Sequence, residues 1–101
     1  MSYITITGCD HYLGTKVLRL HQKVVLKKDL DNVYDGEAVA VYLESGMKIG
    51  YVANSIYTVA KGTHSAGRIY DTFDQTCEGK VMFILDECAI AQVVHADSNE
   101  E

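Results

Sequence analysis

Short segments in which apolar and polar residues alternate recur along the chain, and this alternation is typical of strands with one buried face. The pattern predicts strands at residues 3–7, 22–28, 37–44, 47–52, 68–73 and 80–86. Residues 89–95 fit either a last strand or a short helix, and residues 17–20 fit either a helical turn or an extended link. The hydrophobic pattern therefore indicates a chain dominated by short strands.

One segment breaks this period of two. In residues 53–61 the apolar positions fall on one helical face, Asn54 or Ser55 suits the N-cap, and Gly62 suits the C-terminal stop. We therefore predict a helix over 53–61, and a turn at residues 78–79, where an acidic residue precedes a glycine.

Six or seven short strands with turn residues between them and one helix predict a mainly β fold. The expected architecture is a small OB-like or SH3-like antiparallel β-barrel of about six strands with one or two short helices. A chain of 101 residues with 48% apolar composition can bury a modest core, so residues 1–96 are predicted to form one domain. Residues 97–101 are predicted to be an acidic disordered tail.

Charge is distributed unevenly along the chain. The formal net charge is −5, with +1 in residues 1–61 and −6 in residues 62–101. A phosphate-binding surface is therefore expected in the first two thirds of the chain. The alternative is that the lysines and glutamates simply coat a solvated surface.

The three cysteines, Cys9, Cys77 and Cys88, lack the close spacing of a metal site or a disulfide framework. The N-terminal residues lead directly into a strand pattern rather than a secretory signal, and the longest apolar run, 81–85, is too short to cross a bilayer. We therefore expect a cytoplasmic protein with reduced thiols, no cofactor, no bound metal and no membrane partner.

The most informative segment is the polar turn that precedes the strand at 37–44. Within four residues it presents an amide (Asn32), a phenol (Tyr34) and a carboxylate (Asp35). Chemically diverse side chains on a loop anchored by a hairpin are typical of a recognition site. The alternative is that Asn32 and Asp35 only form turns by bonding their own backbone.

Three motifs, taken in order, resemble those of the HIRAN domain family. Residues 8–14 carry Gly-x-x-x-Tyr-x-Gly, residues 32–38 carry Asn-x-Tyr-Asp-x-x-Ala, and residues 50–52 carry Gly-Tyr-Val. The resemblance spans residues 4–62 and implies an OB-like barrel that binds nucleic acid, notably the 3′-hydroxyl end of single-stranded DNA. It also implies a link to DNA repair, because larger members carry remodelling ATPases or nucleases. The sequence has no Walker-type phosphate loop or nuclease cluster, so we expect a noncatalytic domain whose helicase or nuclease partner is a separate polypeptide.

The resemblance implies a set of nucleic-acid-binding residues: His11, Tyr12, Asn32, Tyr34, Asp35, Tyr51 and Asn54. An ionised Asp35 would accept a hydrogen bond from a terminal hydroxyl and repel a terminal phosphate. The aromatic rings would stack on bases, although packing over the rim of the barrel is an alternative for each ring.

The sequence departs from the family pattern in two places. Asp10 stands where DNA-binding members tend to carry a basic residue, and residues 53–55, which include Asn54, supply none of the basic residues that often follow the Gly-Tyr-Val motif. Phosphate neutralisation provides most nonspecific affinity, so binding is expected to be weak and salt-sensitive. The remaining candidates to meet a nucleic-acid backbone are Lys16, Lys28, Lys48 and Lys61. The alternative function is a protein-interaction or regulatory module on the same fold with little DNA affinity.

Overall fold

The computed structural model describes residues 2–94, in which six antiparallel strands close into a barrel. The strand order is β1-β4-β3-β2-β5-β6, and β6 pairs back onto β1 to complete the closure. The elements are β1 (Ser2–Thr7), β2 (Lys23–Lys28), β3 (Val39–Leu43), β4 (Lys48–Val52), α1 (Ala66–Tyr70), β5 (Thr76–Ile84) and β6 (Ala89–Val94), with 3₁₀ turns at Cys9–His11 and Thr15–Val17. The predicted fold class is confirmed.

The barrel interior is aliphatic. Along β1 and β2, residues Ile4, Ile6, Val24 and Leu26 are fully buried, as the alternating pattern requires for a sheet with one face toward the core. Burying each such side chain contributes roughly 1.5–3 kcal/mol. All seven tyrosines are at least partly exposed. Tyr70 and Phe73 pack against this core from the side, and no Tyr or Phe among residues 2–94 is fully buried.

The predicted turn at 78–79 is wrong, because β5 continues straight through Gly79. A Cβ at Gly79 would lie 2.9 Å from Leu26 Cδ1 and 3.0 Å from Val24 Cγ2. Gly79 thus faces the core side chains of β2, and the glycine allows close packing rather than a turn.

The predicted helix over 53–61 is also wrong. Both ends of this segment are held by one residue of β1, since Ala53 N–H donates to the Thr5 carbonyl (2.8 Å) and Ala60 N–H donates to Thr5 Oγ1 (3.0 Å). A helix of this length would separate its ends by roughly 12 Å at 1.5 Å per residue. The segment therefore forms a closed loop, and Ile56, assigned to the apolar helical face, is 87% exposed.

The helix lies later in the chain, where a strand was predicted at 68–73. Ser65 is the N-cap of α1, and its Oγ accepts a hydrogen bond from Arg68 N–H. Ile69 is buried and Phe73 packs against the core. These two residues are four apart, and this spacing fits a helical face as well as it fits a strand.

The remaining ambiguities are resolved by the strand pairing. Residues 89–94 form a strand because β6 has partners on both sides, β1 and β5. The segment before β2 begins with the 3₁₀ turn Thr15–Val17 and is extended at Leu18. The tail predicted at 97–101 lies outside the described residues. Within residues 2–94, no helix has both the length and the apolar character needed to span a bilayer.

Candidate nucleic-acid interface

The sheet order brings three loops to one region of the barrel. Strand β4 lies between β1 and β3, so Tyr51 of β4 is paired with Thr7 on one side and Ala40 on the other. The 3₁₀ turn after β1, the loop that precedes β3 and the segment that follows β4 consequently surround the end of β4. These three loops carry six of the seven predicted site residues, and the seventh, Tyr51, lies on β4 itself.

Gly50 allows the first of these loops to approach β4 closely. A Cβ at this position would lie 2.6 Å from the Thr7 backbone oxygen and 3.5 Å from Cys9 Sγ. The Thr7 contact is shorter than real Cβ contacts, so a larger residue would push the end of β1 away from β4. Because residue 50 is a glycine, the first loop can lie close to Tyr51, the next residue of β4.

The Tyr51 hydroxyl links a cation to an anion. Lys48 Nζ donates to Tyr51 Oη at 2.9 Å, and the Tyr51 O–H donates to Asp29 Oδ2 at 2.6 Å. The hydrogen bond from Tyr51 lowers the pKa of Asp29, and the same bond raises the pKa of Tyr51. At neutral pH the phenol is therefore protonated between a charged lysine and a charged aspartate.

The ammonium group of Lys48 lies among three tyrosine rings. Its Nζ is 4.6 Å from the ring centroid of Tyr51, 5.7 Å from that of Tyr12 and 5.9 Å from that of Tyr42. Cations within about 6 Å of an aromatic face are attracted to it. Among the described residues no carboxylate lies within 4 Å of this nitrogen. A positive charge is therefore held beside Tyr12.

The loop before β3 is stiffened by its own side chains. Asn32 Oδ1 accepts hydrogen bonds from Tyr34 N–H (2.9 Å) and Asp35 N–H (3.0 Å). Asp35 Oδ1 accepts a hydrogen bond from Glu37 N–H at 2.9 Å. The turn-forming alternative considered for Asn32 and Asp35 is thus present in the structure. Tyr34, which lies on this loop, is 96% exposed.

Asn54 joins this loop to α1. Its Nδ2 donates to Asp35 Oδ2 at 3.0 Å, and its Oδ1 accepts a hydrogen bond from Gly67 N–H at 2.9 Å. A Cβ at Gly67 would lie 2.5 Å from Glu37 Oε1, so the loop packs directly against the start of the helix. The sequence marks Asn54 only as a missing positive charge, whereas in the structure its amide positions the Asp35 carboxylate.

A comparison with known protein families places the chain in one of them. A family model described as the HIRAN domain matches residues 1–94. The chain belongs to the HIRAN domain family. A HIRAN domain is a small binding module, which is not catalytic by itself, and the family supports nucleic-acid binding as the class of function.

Two solved structures share the HIRAN fold with this chain. The crystal structure of the HIRAN domain of human HLTF superposes with a TM-score of 0.68 and 22% identity, covering 90% of this chain and 70% of that one. The crystal structure of a Lactobacillus plantarum protein, a structural genomics target, superposes with a TM-score of 0.64 and 21% identity, covering 92% and 89% of the two chains. No curated protein matches this chain significantly.

In this HIRAN domain five of the seven predicted site residues form two groups. Asn32, Asp35 and Asn54 form one group through direct hydrogen bonds, and Tyr12 and Tyr51 form the other around Lys48. The side chains of His11 and Tyr34 extend into solvent without a hydrogen-bond partner among residues 2–94.

Asp29, which was not predicted as a site residue, connects the two groups. It begins the loop that contains Asn32 and Asp35, and its carboxylate holds Tyr51 of the other group. Its position directly after β2, at the start of that loop, is the sequence signal that could have identified it.

Proposed function

We propose that this HIRAN domain binds single-stranded nucleic acid and recognises the 3′-hydroxyl end of a DNA strand. The observation that carries the proposal is the Asp35–Asn54 pair beside an almost fully exposed Tyr34. The pair fixes a carboxylate at a surface position, next to an aromatic ring that is free to meet a ligand.

The hydrogen bonding of Asp35 leaves acceptor capacity for a hydroxyl. Each carboxylate oxygen takes one protein hydrogen bond, Oδ1 from Glu37 N–H and Oδ2 from Asn54 Nδ2. A carboxylate oxygen can accept two, so each retains a lone pair for the proton of a terminal 3′-hydroxyl. A terminal phosphate has no such proton at its charged oxygens and is repelled by the ionised carboxylate.

The exposed aromatic residues provide the stacking surfaces that a single strand needs. Tyr34 and Tyr12 are both exposed, and base stacking on such rings contributes roughly 1–3 kcal/mol per base. Lys48 lies beside Tyr12 and supplies a cation for the sugar-phosphate backbone where Asp10 supplies none. The net charge of −5 opposes binding of a polyanion, so the affinity should fall steeply as salt is added.

The test is fluorescence anisotropy at low salt with 5′-labelled oligothymidines ending in a 3′-hydroxyl, a 3′-phosphate or a dideoxy terminus. The dideoxy end has neither a hydroxyl nor a phosphate, so it shows the effect of losing the hydrogen bond without any repulsion of a phosphate. We expect at least tenfold preference for the hydroxyl over the phosphate, since a hydrogen bond to a charged group contributes about 1.5–3 kcal/mol.

Asp35→Asn keeps an oxygen for Glu37 N–H but removes the charge, and it should abolish discrimination against the phosphate. Asp31→Asn is the matched control, because it removes a charge from the same loop at an exposed residue. Equal binding to all three ends, or identical behaviour of the two variants, would contradict the proposal. Absence of oligonucleotide binding would favour a protein-interaction module instead.

A further inference from the structure

An open cleft of about 430 Å³ lies between the 53–62 loop and α1, beside the proposed 3′-end site. None of its lining residues is acidic. Its polar lining consists of four nitrogen-bearing side chains and three hydroxyls: Asn54, Lys61, His64, Arg68, Ser55, Thr63 and Ser65. The volume falls within the range of about 300–1,000 Å³ that is usual for small-ligand sites.

The charge of this cleft is opposite to that of the chain as a whole. Residues 62–101 carry a net charge of −6, yet Arg68, one of their two basic residues, lies in the cleft together with Lys61. Among the described residues no carboxylate lies within 4 Å of the Lys61 ammonium or the Arg68 guanidinium group. Both side chains are exposed and available to an anion.

Two of the three hydroxyl groups in the wall keep a proton to donate, whereas Thr63 Oγ1 already donates to the Ala60 carbonyl at 2.7 Å. Ser55 Oγ accepts a hydrogen bond from Tyr57 N–H, and Ser65 Oγ accepts one from Arg68 N–H. Since a hydroxyl carries one proton in addition to its lone pairs, both serines can still donate a hydrogen bond to a ligand. The wall is also fixed in place, because His64 N–H donates to the Tyr3 carbonyl of β1 at 2.7 Å.

The cleft begins where the 3′-end site stops. Asn54 lines the cleft, and the same side chain donates to Asp35 Oδ2. A strand whose terminal hydroxyl contacts Asp35 can therefore continue into the cleft past Asn54. Cations, hydroxyl donors and the absence of carboxylates in the lining together fit an anionic oxygen ligand.

We propose that the cleft between Lys61 and Arg68 binds a phosphodiester group of the strand whose 3′ terminus is at Asp35, an inference that rests on the proposed function. The two cations would then replace the positive charges that positions 10 and 54 lack in this chain. The sequence does not indicate this pair, because the turn and the helix that bring Lys61 and Arg68 together were not predicted there.

The test combines protein variants with single neutral phosphates in the ligand. Wild type and the double variant Lys61→Gln/Arg68→Gln are titrated with 3′-hydroxyl oligothymidines that carry one methylphosphonate at successive positions from the 3′ end. Wild type should lose about tenfold in affinity at one position near the terminus, and the double variant should show no loss there. The salt dependence should also become shallower, by about 0.7 in the log–log slope for each phosphate contact removed.

The control is Lys27→Gln/Lys80→Gln, which removes two exposed lysines that do not line the cleft. It should retain both the methylphosphonate effect and the wild-type salt slope. The proposal is overturned if the double variant and the control behave alike while the 3′-hydroxyl preference persists. Oligonucleotide binding that depends on Lys61 and Arg68 without any end preference would instead refute only the 3′-end function. If an oligoglutamate peptide binds in a way that requires Lys61 and Arg68, while oligonucleotide binding does not require them, the cleft proposal is overturned in favour of an acidic protein segment.

Discussion

The hydroxyl of Tyr51 holds two charged side chains in place with one oxygen and one proton. The oxygen accepts from Lys48 and the proton is donated to Asp29, so the lysine is fixed near Tyr12 and the loop that starts at Asp29 is fixed to β4. The sequence motif Gly-Tyr-Val indicated that Tyr51 matters. It did not show that the phenol acts through its hydroxyl, because Asp29 lies 22 positions away along the chain.

Tyr51→Phe should raise the pKa of Asp29 toward the ordinary aspartate value of about 3.9, since the hydrogen bond that lowers it is removed. A lowered folded-state pKa stabilises the fold above the unfolded-state pKa, and this contribution disappears as the pH falls through the folded-state value. We therefore expect the free energy of unfolding to fall at pH 7 by less than about 1 kcal/mol, because solvent screens this partly exposed carboxylate, with a smaller difference below about pH 4.

The measurements are an NMR titration of the Asp29 carboxyl carbon and urea unfolding at neutral and acidic pH. Tyr34→Phe is the control. Tyr34 is almost fully exposed, so the loss of its hydroxyl should change neither the Asp29 pKa nor the free energy of unfolding. An unchanged Asp29 pKa in Tyr51→Phe would refute the role assigned to this phenol.

At the scale of elements, local patterns predicted most of the strands, but they placed a strand at 68–73, which overlaps the helix α1, and a helix over 53–61, where there is none. The strand prediction relies on alternation, which the burial of one face produces most clearly in β2 and β6. The 53–61 segment has a helical pattern, but Thr5 holds both of its ends together, and such a tertiary bond leaves no local signal. Gly79 was misassigned for a similar reason, since the side chains that exclude a Cβ belong to β2.

Asn54 connects two elements through separate atoms, so its two bonds can be removed separately. Asn54→Asp retains an oxygen for Gly67 N–H but places a second carboxylate against Asp35, whereas Asn54→Ala removes both contacts. We expect Asn54→Asp to keep the hydrogen-exchange protection of the Gly67 amide and Asn54→Ala to reduce it about five- to tenfold, consistent with the loss of one hydrogen bond of about 1 kcal/mol.

Both Asn54 variants should weaken binding of a 3′-hydroxyl oligonucleotide, because neither supplies a donor to Asp35. Amide exchange followed by NMR, together with anisotropy, separates the two contacts. Wild-type DNA affinity in Asn54→Asp would contradict the role of the Asp35 contact, even with Gly67 fully protected.

At the scale of the whole molecule, the barrel could be predicted and the assembled site only in part. The sequence motifs identified the loop residues. Asn32, Tyr34 and Asp35 are close in sequence, so they lie on one loop. Their proximity to Tyr51 and Asn54 depends on β4 lying between β1 and β3. That strand order follows from barrel closure, which no local pattern encodes.

The thiols offer a test of how cooperatively the barrel opens. Cys9 is fully buried beside Gly50, and burial raises the pKa of Cys77 to about 11. Alkylation of native protein should therefore be slow at pH 8, and the Cys77 rate should rise about tenfold per pH unit until that pKa is approached. Cys9 should react only through global unfolding.

Pulse labelling with iodoacetamide, read by mass spectrometry across a urea series, measures these rates. The Cys9 rate should show the same urea dependence as global unfolding. Rapid Cys9 labelling without urea would instead show that the 3₁₀ turn at Cys9–His11 detaches while the barrel remains closed.

The pairing of Ser2 with Val93 places both ends of the described chain side by side, whereas the loop that carries Tyr12 follows the opposite end of β1. A polypeptide joined at either end would consequently leave the barrel on the side away from the loop that carries Tyr12. The domain is thus geometrically suited to insertion into a host protein as a cassette, with entry and exit points sharing one attachment site. Tethering to a surface through the same ends would leave the loop that carries Tyr12 facing outward.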